Sequence, residues 1–196
     1  MKNNKYFEED SIYCYPSSNV LINKFNITDP EAFERKEHEI VSIRLSELIS
    51  TKTSHTNSSD YLKHIHYYLF QDLYSWAGKI RTVKLGIGNI SFAHPIFIEQ
   101  ELQKEFDSFQ KKNVLSFASK VEFSQVLAKH KIELNIIHPF RDGNGRSIRT
   151  LIESIANDAG FFLQFNLMNY NEYLNAMVKS PYDSTLLENL ILTNLL

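Results

Sequence analysis

The chain has 196 residues, 43% of them hydrophobic, and a net charge of −2 from 21 basic and 23 acidic side chains. That length suits one domain with a real core, and the absence of any basic run longer than two residues excludes a nucleic-acid-binding stripe. Cys14, the single cysteine, rules out an intramolecular disulfide and is compatible with a reducing, cytoplasmic location. The polar start, Met1 to Asp10, is not a signal peptide. No apolar run is long enough to span a bilayer, so no membrane partner is expected.

Turn and cap residues fill 16–30, where Thr28 or Asp29 can cap a helix with Pro30 in its first turn. Ala32, Phe33, Ile40, Val41, Ile43, Leu45, Leu48 and Ile49 then recur at roughly helical spacing. A polar stretch at 51–59 precedes a second helix, predicted over 60–76, capped by Ser59 or Asp60 and stopped by Gly78. It puts Leu62, Ile65, His66, Leu69, Phe70, Leu73 and Trp76 on one face. His64 and His66 face different ways on such a helix, which argues against a metal pair. Two short extended runs over 80–93, turning near Ile87-Gly88-Asn89, predict a β-hairpin. A helix from Pro95 to about residue 113 follows.

The next helix, predicted over 119–137, delivers Asn135 and His138 from one face to a loop that runs on to Arg149. Gly143 and Gly145 let the backbone turn sharply and let a ligand come close. Successive N–H groups in such a turn make an anion site, reinforced by the start of a helix near Ser147. Arg146 and Arg149, three apart, can clamp phosphate oxygens. Asp142 is a hard oxygen ligand suited to Mg²⁺ held against substrate phosphates, and His138 can serve as a general base. Singly, each has an ordinary use: Arg149 pairing with Glu153, Asp142 in a turn, Asn135 at a helix end. Crowded together they predict a nucleotide site with a base beside it. A helix over 147–159 ends at Gly160, another runs from about Asn169 to Lys179, and the last segment, 183–195, reads as an amphipathic helix.

His138 to Arg149 read H-P-F-R-D-G-N-G-R-S-I-R. This resembles the Fic-domain signature H-P-F-x-[DE]-G-N-G-R-x-x-R at every fixed position. The run from His66 through Trp76-Ala77-Gly78 to Arg81 resembles the segment that precedes the active-site hairpin in the same family. The resemblance implies a mostly α Fic fold, about seven helices with a short β-hairpin flap over the active-site loop. It implies a single Fic domain over 1–196, with active-site loop 138–149 and flap 80–93. The activity implied is that of a protein adenylyltransferase, moving AMP from ATP to a Ser, Thr or Tyr hydroxyl with release of pyrophosphate. His138 would take the hydroxyl proton, and Asp142 would hold Mg²⁺. Asn135 would orient His138 or touch nucleotide. Gly143, Asn144 and Gly145 would hold the α-phosphate, and Arg146 and Arg149 the β/γ end. Ile87, Gly88 and Asn89 would dock the target by main-chain pairing, although many members carry Lys-Gly where this chain has Ile87-Gly88.

Ser184, Glu188 and Asn189 fit [S/T]-x-x-x-E-[G/N], which resembles the inhibitory motif of self-restrained Fic proteins. By that resemblance Glu188, on an inhibitory helix 183–195, would pair with Arg149 and misorient ATP. The partners implied are ATP and an unidentified target protein, with self-modification and assembly with a second copy also open to such an enzyme. Removal of AMP by Glu188-activated water, and a nucleotide-sensing regulatory module, stand as alternatives.

Overall fold

The structure, a computed structural model, describes residues 12–50, 57–87, 90–112 and 119–196. Seven α-helices occur among them: α1 (Pro30–Ser50), α2 (Ser59–Phe70), α3 (Ile98–Lys111), α4 (Lys120–Ile137), α5 (Asn144–Asp158), α6 (Tyr170–Lys179) and α7 (Thr185–Asn194). The two strands, β1 (Gly86–Ile87) and β2 (Ile90–Ser91), pair antiparallel, with Gly86 opposite Ser91 and Ile87 opposite Ile90. Most of the linker at 51–59 and the hairpin residues Gly88 and Asn89 lie outside the described residues.

Local signals account for most boundaries. Ser58, Ser119 and Asn169 cap α2, α4 and α6, each accepting a backbone N–H from the first turn, the usual role of short polar side chains at a helix start. Helix α2 ends at Phe70, short of the expected Trp76, because the chain tightens into successive turns in which Leu73 and Tyr74 both donate to the Phe70 carbonyl. Leu73 and Tyr74 are buried all the same. Helix α5 begins at Asn144 rather than near Ser147, so the Asn144-Gly145-Arg146 triplet lies in its first turn.

Helix α4 is the spine. It packs against α3, α5 and α7 and buries Phe123, Leu127, Ala128, Leu134 and Ile137. Burial on several sides explains why it shows no narrow apolar stripe. The buried apolar side chains form one cluster that reaches from Tyr13 to Leu195. Its consequence for function is positional: α4 ends at His138, α5 starts at the other side of the loop, and both ends are fixed by the core.

Candidate active site

The loop between α4 and α5 is held from three sides. Within it, Asn144 Oδ1 accepts the Phe140 N–H at 2.8 Å, and Asn144 Nδ2 donates to the Phe140 carbonyl at 2.7 Å. Both ends of this side-chain amide thus engage the Phe140 backbone, which shapes the loop around Asn144. From below, His66 accepts the Gly78 N–H on Nδ1 at 2.8 Å and stands 3.0 Å from the Asp142 carbonyl through Nε2. Acceptance at Nδ1 puts the ring proton on Nε2, which therefore donates to Asp142. The same ring stacks on Phe140, with centroids 3.8 Å apart.

Burial pushes the His66 imidazole down to about 4. The unfolded chain titrates near 6.5, so between those values it binds a proton that the fold excludes. Stability must then fall as pH drops through that window, by about 3 kcal/mol at its lower end. His130, buried against Phe109 and bonded to Glu105 at 2.7 Å, is shifted in the same direction, chiefly by desolvation. Urea midpoints measured from pH 7 to pH 4 should decline steadily below pH about 6.5; a flat profile would contradict a neutral, buried His66.

His138 closes α4 in the left-handed conformation, φ 50°, a region that costs an ordinary side chain about 1–3 kcal/mol and persists only when its surroundings impose it. Its N–H donates to Leu134 O at 3.0 Å, and its carbonyl accepts from Arg81 Nε at 2.8 Å. The ring lies parallel to Phe92, 3.8 Å away and 5° from coplanar. Nδ1 is 3.2 Å from the Asn135 carbonyl, which fixes the tautomer with the lone pair on Nε2. The Asn135 carbonyl thus holds the His138 ring.

Across the loop, Gly143 is the N-cap of α5, with φ 78° and no side-chain cap bond. The first-turn N–H groups, including that of Gly145, are left to an outside acceptor. Asp142 Oδ1 accepts the Gly143 N–H at 2.6 Å, and the carboxylate side chain keeps 40% of its exposure. Among the described residues no group of three or more metal-ligating side chains gathers, and the Asp142 carboxylate stands 3.8 Å from Arg146 Nη2.

The two arginines do not form one clamp. Arg146 pairs with Glu37 of α1 at 2.5 Å and lies over the Phe70 ring at 4.6 Å. Glu37 in turn accepts from Tyr74 Oη at 3.1 Å. Arg149 points towards α6, over Tyr173 at 5.8 Å. The Tyr173 phenol bonds both Lys131 and Arg149; burial raises it, but the two cations together carry it below its ordinary value. Arg146 thus meets Glu37 of α1 and, at 3.8 Å, Asp142 of the loop, whereas Arg149 meets Tyr173 of α6.

Glu188 does not meet Arg149. Its Oε1 accepts from Ser184 Oγ at 2.5 Å, an i,i+4 contact on one helix face, and no ion pair joins it to Arg149 among the described residues. The expected inhibitory pairing is therefore absent from this arrangement. Of the flap, Ile87 is 43% exposed.

Residues 56–156 match the sequence model of the Fic/DOC family. The chain belongs to the Fic/DOC family. Among its Fic relatives, the protein adenylyltransferase VbhT of Bartonella schoenbuchensis is 35% identical over 192 residues, covering 97% of this chain and 40% of VbhT. The probable protein adenylyltransferase y4lH of Sinorhizobium fredii is 30% identical, with 90% of this chain and 91% of y4lH covered. The solved Fic structure of BepC from Bartonella tribocorum, with bound AMPPNP, superposes with a TM-score of 0.85 at 25% identity and covers 94% of this chain and 96% of that one. The present chain thus spans less than half the length of VbhT. In the Fic signature as it stands here, His138, Asp142 and the Gly143–Gly145 cradle converge on one loop. His66, Glu37, Arg81 and Phe92 support it from outside the signature.

Proposed function

We propose that this Fic protein transfers AMP from ATP to a hydroxyl side chain of a target protein. The observation that carries the reading is the pairing of a histidine whose tautomer puts its lone pair on Nε2 with an uncapped helix start across a short loop. A basic residue and an anion-binding helix start thus flank the same short loop, and the relatives VbhT and y4lH are named as adenylyltransferases.

The steps follow from those parts. His138 Nε2 removes the proton of the target hydroxyl. The oxygen forms a bond to the α-phosphorus, the α–β anhydride bond breaks, and pyrophosphate carries away the electron pair. First-turn N–H groups of α5 stabilise the charge that develops on the α-phosphate oxygens. Arg149 neutralises the β/γ end. Arg146, tied to Glu37, chiefly holds the α5 start against α1. Asp142 fits Mg²⁺ as a single carboxylate working with substrate phosphates, and the ion would supply charge neutralisation on the polyphosphate. The flap docks the target segment by strand-like pairing. Among the described residues no helix is long and apolar enough to cross a membrane; the single cysteine is compatible with the reducing cytoplasm to which we assign the reaction.

Control by the C-terminal helix is not included in this reading, because Glu188 is engaged by Ser184. The same contact gives no support to Glu188 as an activator of water for AMP removal. The decisive experiment compares labels. With ATP labelled at the α-phosphate, radioactivity should enter protein and pyrophosphate should appear in equal amount; with label at the γ-phosphate, none should enter. Protein labelled from the γ-position would indicate phosphate transfer and refute the proposal.

A further inference from the structure

We infer that Arg81 is a positioning residue that joins both stems of the flap to His138 as one unit, so that the base and the target-docking hairpin keep a common register. The inference rests on the transferase reading above for its meaning, though not for its geometry.

Arg81 is 1% exposed. Its Nε donates to the His138 carbonyl at 2.8 Å, Nη1 to Val83 O at 2.6 Å, and Nη2 to Ala93 O at 2.7 Å and Ile137 O at 3.3 Å. Its own backbone N–H donates to Pro139 O at 2.9 Å. Val83 lies on the stem that enters β1, and Ala93 on the stem that leaves β2. One planar fork therefore holds the two sides of the flap and the last carbonyls of α4, where the helix dipole favours a cation.

Three further contacts point the same way. Ala93 N–H donates to Ile136 O at 3.2 Å, Phe92 N–H donates to Leu85 O at 3.0 Å, and the Phe92 ring lies flat on the His138 ring. The bond from Arg81 to the His138 carbonyl also bears on the one strained backbone position of the loop that is not glycine, His138 at φ 50°. A scaffold arginine would need only to fill space and satisfy carbonyls. This one satisfies the carbonyl of the base itself together with one carbonyl from each flap stem.

Lysine retains the charge but is a point donor without the planar fork, so Arg81→Lys separates positioning from simple neutralisation. The test uses the full chain, uniformly ¹⁵N-histidine labelled, with the His138 ring signals identified by their loss in His138→Asn. In Arg81→Lys, calorimetric ATP affinity should stay within about twofold, because the cradle lies on α5. Labelling of lysate proteins from α-labelled ATP at saturating ATP should fall about 100-fold, the scale on which an ångström of misplacement acts. The His138 ring signals should shift or broaden. Unchanged labelling, unmoved His138 signals, or a loss of ATP affinity in proportion to labelling would each overturn the inference.

If Arg81→Lys fails to fold by circular dichroism, Arg81→Gln, which keeps a planar amide donor without the guanidinium fork, carries the same test, with the same outcomes deciding it. Should the unmodified protein label nothing, the transferase reading fails by itself, and the His138 signals of the variant still decide whether Arg81 sets the histidine.

Discussion

His138→Ala is expected to lower AMP transfer about 10³-fold while leaving ATP affinity within about twofold, since a general base contributes roughly 10²–10⁴ to rate. The separation of the two effects follows from the layout. The imidazole is delivered by the end of α4, oriented by the Asn135 carbonyl at 3.2 Å and by the flat contact with Phe92. The phosphate cradle belongs to α5, whose start is set by Gly143 and by the Asn144–Phe140 amide pair. Alanine introduces a complication of its own, because a left-handed residue with a plain Cβ costs about 1–2 kcal/mol. His138→Asn avoids it, as asparagine tolerates that region and lacks a basic ring nitrogen. Both variants should lose labelling, and only the alanine form should also lose melting temperature. Labelling that persists in His138→Asn at more than about a tenth of the normal rate would remove His138 from the role of base.

The loop was legible in the sequence as a candidate site because its residue types are tightly spaced and each has a narrow set of uses. Its supports were not. His66 sits among Leu62, Ile65 and Leu69, all fully buried, so in sequence it is one more side chain on an apolar face. Its role depends on the Gly78 N–H and the Asp142 carbonyl, which only the tertiary fold brings to its two nitrogens. Glu37 and Arg81 are hidden for the same reason: their partners lie on distant segments, and charge alone does not announce a distant carbonyl.

Three departures from expectation have local causes. A Gly-Asn-Gly string reads as a turn throughout, yet only Gly143 is left-handed; Gly145 is already helical, which moves the start of α5 forward to Asn144. The Ser184–Glu188 spacing reads as a regulatory motif, yet the same spacing brings the two side chains together on one helix face. There they bond to each other, and Arg149 finds Tyr173 instead. Helical periodicity cannot tell a helix from the run of tight turns after Phe70, because the turns keep Leu73 and Tyr74 buried.

Gly143 and Gly145 should part company under substitution, although they share one motif. A Cβ on Gly143 would come within 2.4 Å of Phe70 Cε2, 2.5 Å of Phe70 Cζ and 3.2 Å of His66 Nε2, at a φ of +78°. Phe70 has no room to yield, being fully buried beneath the Arg146 guanidinium. Strain from the left-handed backbone, about 1–2 kcal/mol, adds to overpacking of about 1–3 kcal/mol. Gly143→Ala should therefore melt on the order of 10 °C lower, given roughly 2–4 °C per kcal/mol for a chain of this size. A Cβ on Gly145 would meet only Arg149 Nη1, at 3.5 Å, within a helical backbone. There alanine is the better helix former by about 0.5–1 kcal/mol, so Gly145→Ala should melt no lower than the parent. Its Cβ would instead stand in the first turn of α5, where the polyphosphate must approach the N–H groups, and calorimetry should register weaker ATP binding. Thermal melts and ATP titrations on the two variants distinguish the glycine that builds the loop from the glycine that admits the ligand. Equal melting losses in both would show that the loop tolerates a side chain at neither position for the same steric reason, and would remove Gly145 from the cradle.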